Sequence, residues 1–162
     1  VNSSFLVRSG YLFILINFLC FFPNLAIDKN LLKIPEINWE MLNKMKKHND
    51  PPDNLTDLDG KQVRIAGFMV PLEEYEGYEV FTNPEIANIG KFILVPGMGM
   101  CTHVPPPPEN QMVYVVMKKG YKSKFSWDPI WIVGIFRLKR AFSPFGKPFF
   151  RMEGEQVIQY DK

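Results

Sequence analysis

Cysteine and histidine are scarce in this chain, with two of each among 162 residues. Two cysteines cannot supply the disulfide framework on which small secreted domains without a sufficient core depend. Charge of one sign is missing as well. Nineteen Lys and Arg stand against seventeen Asp and Glu, a formal charge of +2, so the electrostatic footprint of a nucleic-acid binder is absent. There is no acidic tail and no internal repeat. No apolar run reaches the roughly 20 residues that a spanning helix needs. At 46% apolar and 22% charged residues, the composition also excludes a disordered or fibrous chain. What is abundant is proline and phenylalanine, fourteen of each. Together they point to a β-rich domain with stiff loops, of a size that fits one domain.

Residues 1–26 read as an export signal. Arg8 carries the positive charge, Tyr11 to Phe22 is apolar except for Asn17, and Pro23 ends the run. Asn24-Leu25-Ala26 then offers a small-residue cleavage point. The expectation is a periplasmic or cell-envelope protein, with an uncleaved N-terminal anchor as the alternative. Lipidation of Cys20 is disfavoured, because Leu19 puts bulk where a lipoprotein signal carries a small residue. After cleavage a single thiol, Cys101, remains, and an unpaired cysteine in an oxidising compartment must be buried, bound or used.

Beyond the leader, residues 27–58 read as an extended arm, a short helix and a polar loop, and 59–162 as the body. Trp39, Leu42 and Met45 recur at helical spacing, with Asn38 placed to cap the start. His48 to Asn54 is a proline-interrupted loop. In the body, Gln62 to Pro71 alternates in the manner of a strand, and Gly67 at its middle predicts a bulge or sharp bend. Lys91 to Pro96, Gln111 to Met117 and Ile130 to Lys139 follow as apolar strands, the last with Gly134 at its centre. Phe149 to Met152 and Gln156 to Tyr160 read as a terminal hairpin around Glu153-Gly154-Glu155. Long strands kinked by a central glycine suit a small barrel. The predicted fold is therefore mainly β, an OB-like barrel or an open β-sandwich with a short N-terminal helix.

One segment carries the chemistry. Pro96-Gly97-Met98-Gly99-Met100-Cys101-Thr102-His103-Val104 runs into Pro105, Pro106, Pro107 and Pro108, then Glu109-Asn110-Gln111. Consecutive prolines favour a stiff polyproline II rod, which holds the preceding loop in place at low entropic cost. Cys101 and His103 lie two apart, so in extended chain they face the same side and can share a metal ion. Thiolate with imidazole suits zinc, and adding Met98 or Met100 shifts preference toward Cu(I). Further ligands would come from His48, from Glu73, Glu74 or Glu109, or from a second chain. Three readings of the pair stay open: simple packing, metal ligation, and thiol chemistry with His103 as the nearby base.

Elsewhere, Lys118, Lys119, Lys122 and Lys124 with Tyr121 and Phe125 form a basic-aromatic loop that reads as solvated, with anionic lipid headgroups as an alternative partner. Glu73, Glu74, Glu76 and Glu79 form an acidic loop without calcium-loop spacing.

Val63 to Glu73, Phe92 to Pro96, and Cys101-Thr102-His103-Val104-Pro105-Pro106-Pro107-Pro108-Glu109-Asn110-Gln111 together resemble the bacterial DUF3299 family. The likeness covers about Trp39 to Tyr160. It implies an exported or lipid-anchored envelope protein in which Cys101, His103, the four prolines, Asn110 and Gln111 form a hallmark. It implies no reaction. Where the family carries an aromatic-Gly-Ala segment before its cysteine, this chain has Met98-Gly99-Met100, so a methionine ligand would be its own peculiarity.

The resulting expectation is an envelope protein that binds a transition metal, zinc first and copper second, through Cys101 and His103, with Asn110 and Gln111 as supporting groups or strand caps. The alternative is an accessory module of an envelope transporter or assembly complex, docking through the proline ridge. No nucleic acid is expected, and membrane contact only through the leader or a lipid anchor.

Overall fold

The computed structural model describes residues 33–46, 50–72, 88–98 and 107–160. These fall almost wholly in one compact unit, Ile34–Lys162. The leader lies outside the described residues. Among the described residues no helix is long and apolar enough to cross a membrane.

Helix α1, Trp39–Asn43, starts where the sequence places it: Asn38 is extended, and its side chain accepts a hydrogen bond from the Met41 backbone N–H. Such a cap is worth about 1 kcal/mol. A second short helix, α2 (Asp53–Thr56), follows Pro52. It falls partly within the stretch read as loop. Proline immediately before its first turn costs no hydrogen bond there, which is how a Pro-Pro sequence can open a helix. Leu42, Met45 and Leu55 are completely buried, so both helices are seated on the core.

The strands are β1 (Gln62–Pro71), β2 (Asn88–Ile89), β3 (Lys91–Val95), β4 (Val113–Met117), β5 (Ser123–Lys124), β6 (Ile130–Arg137) and β7 (Phe150–Gln159). Five of them close into a barrel in the order β1-β3-β4-β7-β6, and β2 pairs with β5 in a separate two-stranded sheet. Within the barrel every pairing is antiparallel except β4 with β7. That connectivity is the OB-like alternative of the two expected, and closure rules out the open sandwich.

Gly67 marks the point where β1 changes partner. Gln62 to Gly67 pair with β6, and Phe68 to Pro71 pair with β3. A Cβ at Gly67 would stand 2.7 Å from the Val95 carbonyl oxygen and 3.1 Å from the Trp39 ring. Trp39 in turn donates its indole N–H to the Ala66 carbonyl at 2.7 Å. The bend therefore seats α1 against the barrel. Gly134 performs the corresponding service in β6, where the register against β7 shifts between Val133 and Gly134. A Cβ there would overlap the Glu153 carbonyl.

The expected terminal hairpin is corrected. Phe150–Gln159 is one ten-residue strand. Gly154 is not a turn: it lies opposite Gly134 in β6 and opposite Met117 in β4. Glu-Gly-Glu resembles a turn in sequence, but pairing on both sides keeps the chain extended.

The main core fills the barrel, with Phe92, Phe136, Phe150 and Ile65 among its largest members. A second, smaller cluster of Ile93, Val95 and Met112 is packed by Phe68, Val70, Leu72, Tyr114 and Phe145. Strand β3 is thus buried on both faces, which explains its continuous apolar run.

Candidate functional site

The loop joining β3 to β4 holds the Cys-x-His pair, both methionines, the four prolines, Asn110 and Gln111, and its two ends are fixed by that smaller cluster. Val95 anchors the departure and Met112 the return. Of the predicted site residues, Met98, Pro107, Pro108, Asn110 and Gln111 are described. Met100, Cys101, His103, Pro105 and Pro106 lie outside the described residues, as do His48, Glu73, Glu74, Glu76 and Glu79.

Met98 lies in the turn just past β3 and is 67% exposed. Pro107 is buried and Pro108 exposed. Pro108 has φ −56° and ψ 148°, close to polyproline II values. A single 3-10 turn, Glu109–Gln111, then delivers the chain to β4. The expected strand thus begins two residues late, because Gln111 donates its backbone N–H back to the Pro108 carbonyl at 2.8 Å.

Two residues, Asn110 and Glu109, clamp this return. Asn110 Nδ2 approaches the Asn43 carbonyl at 3.2 Å, Asn43 Oδ1 at 3.3 Å and the Met45 carbonyl at 3.1 Å. It thereby serves carbonyls at the C-terminal end of α1 that have no partner inside the helix. Arg140 donates to Glu109 Oε2 at 2.8 Å, with its guanidinium 5.0 Å from the centre of the Phe149 ring. The Phe149 backbone N–H donates to the Glu109 carbonyl at 3.1 Å. With both side chains over a third exposed, the ion pair itself contributes at most about 1 kcal/mol. Its effect is positional.

These contacts were not legible in the sequence. Asn110 reads there as a supporting group or strand cap, and Glu109 as one carboxylate among several. Their partners lie 67 and 31 positions away, beyond any local spacing rule.

Among the described residues no three His, Cys, Asp or Glu side chains are grouped so as to hold a metal ion. All four cysteines and histidines of the chain (Cys20, His48, Cys101 and His103) lie outside those residues. Glu109 is already engaged by Arg140.

A family model described as a protein of unknown function, DUF3299, matches residues 29–159. The chain belongs to the DUF3299 family. The match takes in both helices and all seven strands of the described residues, and the whole β3–β4 loop. The chain is also similar to the crystal structure of a DUF3299 family protein from Pseudomonas aeruginosa PAO1, at 28% identity and a TM-score of 0.58. That similarity covers 80% of this chain and 97% of the Pseudomonas one. The two proteins therefore share a fold. Among curated proteins there is no match.

Proposed function

We propose that this DUF3299 protein is an exported envelope protein that binds one transition-metal ion, zinc before Cu(I), through Cys101 and His103. The observation that supports this most is the clamp on the loop's return. A metal loop needs ligands held at low entropic cost, and Asn110, Glu109 and Pro107 tie the stem that leads back from His103 to α1, to Arg140 and to the packed interior. The clamp has a second consequence. The Met45 carbonyl that Asn110 engages lies three residues before His48 in sequence. His48 is accordingly the preferred third ligand, ahead of Glu109, whose carboxylate Arg140 already holds. Three protein ligands of this kind leave a fourth zinc position for water or a partner's donor.

Docking of an envelope transporter or assembly protein through the proline ridge is the second reading. The burial of Pro107 weighs against it, because a docking ridge needs its prolines at the surface. Pro108 and Met98 are the described exposed residues of the loop on which it would rest.

Native mass spectrometry of the zinc-loaded chain tests the proposal. One zinc per chain should be retained by the natural sequence and lost in both Cys101→Ser and His103→Ala, with the far-UV spectrum of each unchanged. Retention in either variant, or absence in the natural sequence, would overturn it.

A further inference from the structure

The β4-β7-β6 side of the barrel carries a second feature, which shares no residue with the β3–β4 loop. On the outer face of the β4-β7-β6 sheet, Arg137 of β6 and Arg151 of β7 are cross-strand partners. Both are exposed. Directly opposed side chains have Cβ atoms about 4.5–5.5 Å apart, and like charges in that relation are destabilising. Lys118, Lys119 and Lys139 stand around them, and together these five cations and Glu153 line a shallow groove of about 480 Å³. The chain as a whole carries only +2, so this is a local concentration of positive charge.

The usual relief is absent among the described residues. Lys118 is engaged by Glu155 at 3.4 Å, but Arg137, Arg151, Lys119 and Lys139 have no ion pair there. The Arg137 guanidinium lies over the turn before β1, where its Nη1 would stand 2.7 Å from a Cβ on Gly60. Two arginines and three lysines lining one groove match an anion with several strong acceptor oxygens. A single carboxylate would leave most of these donors unused. We propose that this groove binds a phosphate group, presented by a phospholipid headgroup or by a small phosphorylated ligand.

The full chain is tested against two probes at constant ionic strength: inorganic phosphate, followed by thermal melting and calorimetry, and sedimentation with vesicles of phosphatidylcholine alone or mixed with phosphatidylglycerol. The variants are the double substitution Arg137→Gln/Arg151→Gln and, separately, Glu153→Gln. If the site takes free phosphate, phosphate raises the melting temperature of the natural chain, the double variant binds about tenfold more weakly or worse, and Glu153→Gln binds more tightly. If it takes headgroups, phosphate alone has little effect, while phosphatidylglycerol vesicles retain the natural chain in excess over phosphatidylcholine vesicles and the double variant loses that excess. Without either probe the double variant should melt no lower than the natural chain, since it loses a repulsion. Equal responses of natural and double-variant chains to both probes, or no response to either, would overturn the proposal.

Discussion

At the scale of single residues, the positions that decide this structure have the least side chain. Gly134 has no room for a Cβ, because the Glu153 carbonyl occupies the space. Ala there must push apart β6 and β7 at their bulge, a backbone displacement that a flexible neighbour cannot absorb. Gly134→Ala should cost about 3 kcal/mol, at the upper end of overpacking penalties. Urea denaturation checks this, with Gly97→Ala as the contrast: nothing lies within 4 Å of a Cβ at Gly97, and that change should shift the midpoint little. Asn110 is the polar counterpart. Asn110→Ala leaves the end of α1 without its side-chain donor and should cost about 0.5–1.5 kcal/mol, since its acceptors are exposed or only part-buried. Because the same side chain ties the loop's return to the segment preceding His48, zinc affinity should fall with it, by a measured competition against a chelating dye. A loss of stability with unchanged zinc affinity would separate the clamp from the site.

At the scale of elements, strands that report their environment locally were legible and those defined by distant pairing were not. The alternation of Gln62 to Pro71 follows from one face lying inside the barrel, and the burial pattern of β1 repeats it residue by residue. Strand β3 reads as a continuous apolar run because both faces are covered, and α1 reads from Trp39, Leu42 and the Asn38 cap. The sequence of β7 reads as a hairpin because Glu153-Gly154-Glu155 has turn composition. Only its partners, Met117 on one side and Gly134 on the other, require extended chain there. The candidate site divides in the same way. The rod of prolines and the Cys-x-His spacing are visible in the sequence, whereas the Asn110 and Arg140 clamps depend on how α1 and the segment after β6 come to rest against the loop.

At the scale of the whole molecule, the N-terminal helices and the barrel share one core. Leu42 and Leu55 are fully buried in the same cluster as Val63, Phe92 and Phe136. Leu42→Ala and Leu55→Ala should each cost about 2–5 kcal/mol and should lower one cooperative transition, rather than splitting off an early helical phase in a calorimetric melt. This shared core gives the β3–β4 loop a stiff frame on both sides: the barrel holds its two ends, and α1 holds the stem through Asn110. The central claim is that this frame presents Cys101 and His103 to a metal. X-ray absorption at the zinc edge tests it most directly on the zinc-loaded full chain. The account predicts one sulfur scatterer at about 2.3 Å and imidazole nitrogen at about 2.0–2.1 Å, with the sulfur shell gone in Cys101→Ser and the nitrogen signature reduced in His103→Ala. A shell of oxygen and nitrogen alone in the natural sequence, or a spectrum that Cys101→Ser leaves unchanged, would contradict it.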